Sequence, residues 1–149
     1  MGEAWWLMRD GDTGSADSLL VSSHTEGFTA VILRAGQPLF VRAVSCERED
    51  LSDELFRFLL FYRDRNTVPP MEGEVVSPTQ PIIITDRIER LLVAGTGLDY
   101  AQASAIVEET LSAAPRPVGA ADLRLSFPTS EIDFQQIAAP AGLAALAWA

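Results

Sequence analysis

Lysine is absent from this chain: all 11 basic side chains are arginine, set against 21 acidic ones, for a formal net charge of −10. That absence excludes a Schiff-base lysine and the lysine of a Walker-type phosphate loop. Cysteine is nearly absent as well. Cys46 stands alone, so neither an intramolecular disulfide nor a Cys-rich zinc site can form, and a reducing, cytoplasmic setting is the default expectation. No apolar run reaches the roughly 18 residues that cross a bilayer, and direct membrane insertion is not expected. The most apolar stretch, residues 138–149, is broken by Pro140 and Gly142. Near Met1, Glu3 stands where a signal peptide carries basic residues, and Arg9 and Asp10 end the short apolar stretch. A basic stripe is missing too. The arginines are scattered, so nucleic acid is not the expected partner.

What is present is enough for one domain. A chain of 149 residues that is 48% hydrophobic can bury a core without a staple and is too apolar for intrinsic disorder. Residues 1–18 form an N-terminal segment and polar connector, and residues 19–149 a single domain. The adjacent Trp5 and Trp6 are too apolar to leave in water. They fold back on the domain or cover another piece of chain, which makes them candidates for an interaction surface.

Three runs read as strands: residues 19–23, 28–34 and 39–45. Short Gly-containing links join them, which favours antiparallel hairpins and a three-stranded meander. The middle run is apolar on both faces, so the sheet should be covered on both sides. Asp50, with Asp53 three residues on, resembles a capping box. Leu51, Leu55, Phe58, Leu59 and Tyr62 then recur at helical spacing before Arg63 and Arg65. Residues 81–85 read as a short buried strand, 87–94 as a weak helix ending at Gly95-Thr96-Gly97, and 99–112 as a better helix. An edge strand at 115–118 and a last helix within 132–148 complete the order. The fold class is therefore α/β, with a mixed five-stranded sheet, a meander plus parallel strands, and helices on both faces.

This order resembles the ribonuclease H-like unit that actin-like ATPases use twice. Gly36-Gln37-Pro38-Leu39-Phe40-Val41-Arg42 resembles the second hairpin in the C-terminal half of the type IV pilus assembly PilM family, where a G-x-x-x-F-x-R pattern recurs. Leu51-Ser52-Asp53-Glu54-Leu55 resembles the family's next helix, and Ala138-Ala139-Pro140-Ala141-Gly142-Leu143-Ala144 its closing helix. The resemblance implies that the chain is one half of a longer protein. In actin-like ATPases an Asp-x-Gly-type turn after the first strand faces phosphates and metal; the matching positions here are Ser22, Ser23 and His24. The family's Gly-Gly pair after the fourth strand, where adenosine sits, is matched by Thr85 and Asp86 after Ile84. With both elements degraded, the resemblance implies no metal, no cofactor and no nucleotide hydrolysis. It implies instead a non-catalytic scaffold related to type IV pilus assembly or type II secretion proteins. Such a scaffold is cytoplasmic, held at the inner membrane through a protein partner that is a pilus or secretion component. The alternative is a degenerate nucleotide-binding half acting with a missing domain. A homodimer in which one chain supplies the missing half is a third option.

The other chemical candidates are weaker. His24, Ser22, Ser23 and Glu26 share one turn, too local for nucleophile, base and orienter to converge. A two-metal nuclease would need carboxylates at the centre of the first strand, and residues 19–23 hold none. Gly95-Thr96-Gly97 reads as a helix C-cap and turn, not a phosphate loop. Cys46 follows an apolar strand and reads as a partly buried thiol. Arg42, on an otherwise apolar strand, needs a carboxylate or a partner protein; a structural ion pair is favoured over binding.

Overall fold

The computed structural model describes residues 16–66 and 88–119, together with Asp122, Phe134, Ile137 and Pro140. Strands β1 (Asp17–His24), β2 (Gly27–Arg34) and β3 (Gln37–Ser45) form the meander. A 3-10 turn, Arg48–Asp50, leads into helix α1 (Leu51–Asn66), so Asp50 lies inside the helical turn and does not cap it from outside. Strand β4 (Ile88–Gly95), helix α2 (Tyr100–Leu111) and the short β5 (Arg116–Pro117) follow. The sheet order is β3-β2-β1-β4-β5. β1 pairs antiparallel with β2 and parallel with β4, and β5 is parallel to β4, so the sheet is mixed and five-stranded as expected.

Period-two alternation sorts the core. Leu19 and Val21 of β1, Phe28, Ala30 and Ile32 of β2 and Leu91 and Val93 of β4 share one face. Leu51, Leu55, Phe58, Leu59 and Tyr62 of α1 and Ala103 and Val107 of α2 close over it. The opposite face is also dry, with Leu20, Leu33 and Leu92 fully excluded from solvent. Phe134, inside the expected last helix, is helical and buried. α2 starts with a capping box: the Gln102 amide donates to the Asp99 carboxylate at 2.8 Å, and the Asp99 amide donates to the Gln102 side-chain oxygen at 3.1 Å.

One element differs from the sequence expectation. Residues 88–94, read as a helix, form the strand β4, and β4 takes the fourth place expected for residues 81–85. Leu, Glu, Arg and Ala favour helix locally, yet here the chain gains parallel pairing with β1 and buries Leu91 and Leu92 on opposite faces. The expected strand at 81–85 lies outside the described residues, as do Trp5 and Trp6. β1 also starts earlier than residue 19, because Asp17 is buried at the head of the strand.

Candidate functional site

β1 and β4 run parallel, so their C-terminal ends meet at one corner. There Ser22, Ser23 and His24 face the turn at 94–97. Gly95-Thr96-Gly97 is therefore the exit of a strand rather than a helix C-cap, and it takes the place that the sequence comparison gave to Thr85 and Asp86. Those two residues lie outside the described residues.

Ser23 closes this corner. Its hydroxyl is buried and accepts hydrogen bonds from the backbone amides of Gly97 (3.1 Å) and Leu98 (2.9 Å). It also lies 3.4 Å from the Ala94 carbonyl, to which it donates. The Thr96 amide donates to the Ser23 carbonyl at 3.2 Å. With the Asp99 amide held by Gln102, the consecutive amides of Thr96, Gly97, Leu98 and Asp99 are all satisfied inside the protein. Free amides at such a turn leading into a helix would form an anion site; these are occupied. The packing is tight. A Cβ on Gly95 would lie 1.8 Å from the Ser23 carbonyl oxygen, and one on Gly97 would lie 2.9 Å from the His24 carbonyl oxygen.

The other corner residues are plainer. Ser22 is half-buried on the opposite face of the sheet, level with Thr29 and Ala94. His24 is exposed, and its Nδ1 accepts the Glu26 amide at 3.2 Å, a contact within the turn. Beside this turn lies an open recess of about 520 Å³ lined by Thr25, Glu26, Ser45, Cys46, Glu47 and Asp50. Partial burial, then Glu54, Asp50 and Glu47, push the Cys46 thiol up from its ordinary range, so it stays protonated and weakly nucleophilic. Three carboxylates at the rim give the recess the wrong sign for a polyphosphate. Among the described residues no group of three or more His, Cys, Asp or Glu could hold a metal ion.

Arg42 finds its carboxylate. It lies on the helix-facing side of β3, 3.7 Å from Glu54 of α1, which also pairs with Arg57. Sequence reasoning missed a polar cluster at the other end of the sheet. The buried Asp17 carboxylate accepts two hydrogen bonds from Arg34 and a third from the Tyr62 hydroxyl. The signal lay just outside the predicted hairpin: extending its first strand back from residue 19 sets Asp17 opposite Arg34, an acid and a base flanking two apolar strands.

No helix among the described residues is long and apolar enough to cross a membrane. No family model matches the sequence, and no curated protein does. Solved structures do. The chain is similar to a chain of a PilM-PilN type IV pilus biogenesis complex, with 17% identity and a TM-score of 0.59 over 97% of this chain and 50% of that one. It is also similar to a Bacteroides thetaiotaomicron protein of actin-like ATPase fold and unknown function, with 12% identity and a TM-score of 0.46 over 73% of this chain and 35% of that one. The chain has the fold of the actin-like ATPases and spans about half the length of the PilM-PilN structure's chain.

Proposed function

We propose that this chain is a non-catalytic interaction module of actin-like fold, half of a larger unit, whose partner is a protein. One observation carries the reading: Ser23 and Gln102 take up the amides of Thr96 to Asp99, the groups that would otherwise be free to bind an anion at this corner. The acidic recess next to that corner adds to it. The fold likeness to PilM, together with that protein's complex with PilN, suggests the partner class: a component of a pilus or secretion assembly. The partner would be membrane-anchored and would bring a short segment to a module at the inner face of the membrane.

The test is a thermal melt with millimolar ATP–Mg²⁺, paired with binding to the segments of pilus or secretion components encoded beside the gene. A ligand at about 100 times its Kd stabilises the native state by about 2.7 kcal/mol, a shift of several degrees for a domain of this size. The expected result is no shift with nucleotide and saturable binding of one such segment. A clear nucleotide shift would instead make the chain the nucleotide-binding half of an actin-like ATPase.

A further inference from the structure

We infer that the outer edge of β3, with the flank of α1 beside it, takes an acidic, extended segment of a partner protein as an added strand. The inference rests on the reading of the chain as an interaction module and specifies the chemistry of its partner.

β3 ends the sheet order, and among the described residues nothing pairs with its outer side. Pro38, which has no N–H, and the register shift opposite Leu33 blunt the start of the strand, so the edge open to pairing is the part from Phe40 to Ser45. Val41, in the middle of that part, is 64% exposed on the face of the sheet opposite α1 and α2. On the helix-facing side, the ring of Phe40 meets those of Phe61 and Tyr62 edge-on, each at 5.8 Å, and Arg42 reaches Glu54. These contacts set the α1 flank bearing Glu54, Arg57, Phe61 and Arg65 alongside the free edge. Phe61 is 46% exposed, with the Arg65 guanidinium 5.3 Å above its ring.

The charge of this flank opposes that of the chain. Net charge is −10 overall, yet beside the end of the edge at residues 40–42, Arg42, Arg57 and Arg65 lie around Glu54, which Arg42 and Arg57 share. The carboxylates of the acidic recess lie past the Ser45 end, so the acidic side chains of the added strand belong at the end at residues 40–42. An added strand would bond through its backbone to β3, and every second side chain would point toward the flank. Acidic side chains there meet Arg57 and Arg65, and an apolar one covers Phe61. A second copy pairing β3 to β3 would set these arginines against their own counterparts, which disfavours that occupant.

Panning a peptide library of about 12 random residues on the full chain, with fluorescence anisotropy on the enriched sequences, tests this. The expected peptides carry acidic residues with one apolar residue among them at every second position, the face turned to the flank, and bind more weakly as salt rises. Their affinity falls at least tenfold in the double variant Arg57→Gln/Arg65→Gln and in Phe61→Ala, while melting temperature and circular dichroism stay those of the parent. Basic peptides, no enrichment, affinity unchanged in both variants, or a dimer through β3 in sedimentation would each overturn the inference. A failed panning without a nucleotide shift removes this surface and leaves the non-catalytic reading standing; a nucleotide shift removes that reading itself.

Discussion

Asp17 and Arg34 face each other across β1 and β2, joined by two hydrogen bonds of 2.7 Å between guanidinium and carboxylate. The carboxylate is 1% exposed, and the Tyr62 hydroxyl of α1 donates to it as well. The hydrogen bond to Asp17 holds Arg34 still more firmly in its charged form. A buried carboxylate with all its partners costs little; stripped of the guanidinium it costs a great deal. Arg34→Met should therefore destabilise the domain by about 3 kcal/mol in urea unfolding. Asp17→Asn/Arg34→Met should recover at least half of that loss. Equal losses in the single and double variants would show that the charge is not what matters.

Ser23→Ala removes the acceptor shared by Gly97 and Leu98 and leaves two amides unpaired. Unfolding measurements should show a loss of about 1–3 kcal/mol. Faster amide exchange at Gly97 and Leu98 should accompany it. A variant as stable as the parent would mean that the corner is not held by this hydroxyl.

Ala35 and Gly36, at the tip of the β2–β3 hairpin, have φ of 48° and 72°. Such a turn wants Asn-Gly, and alanine sits there under steric strain. Ala35→Asn is expected to raise stability by roughly 0.5–1 kcal/mol. The melting temperature reads the gain, and a fall would show that the strain lies elsewhere.

The Cys46 thiol has its pKa raised by partial burial and by Glu54, Asp50 and Glu47. A raised thiol pKa means less thiolate at a given pH, so alkylation by iodoacetamide at pH 8 should run slower than for a free cysteine and climb only at higher pH. Asp50→Asn/Glu47→Gln should shift the rate profile to lower pH. An unmoved profile would leave the carboxylates without influence on the thiol.

Much of this architecture was legible before any coordinates. The hairpin turn at Ala35-Gly36, the apolar spacing of Leu51, Leu55, Phe58 and Tyr62, and the helical run from residue 99 are local signals, and each marks its element. Arg42 on an apolar strand already asked for a carboxylate, and Glu54 supplies it. The stretch Ile-Glu-Arg-Leu-Leu-Val-Ala-Gly was not legible, because its residues suit a helix and only pairing with β1 makes it a strand. That shift moved the reading of the corner as well, from Thr85 and Asp86 to Gly95-Thr96-Gly97.

The residues themselves determined that the chain makes a mixed α/β sheet and that it brings neither lysine nor a cysteine pair to any chemistry. Only the tertiary structure decided what becomes of the corner, since Ser23 meets the Gly97 amide from 74 positions away. Periodicity reports which face of an element is apolar. It cannot report which distant hydroxyl will reach a loop's amides, because that depends on which strands become neighbours.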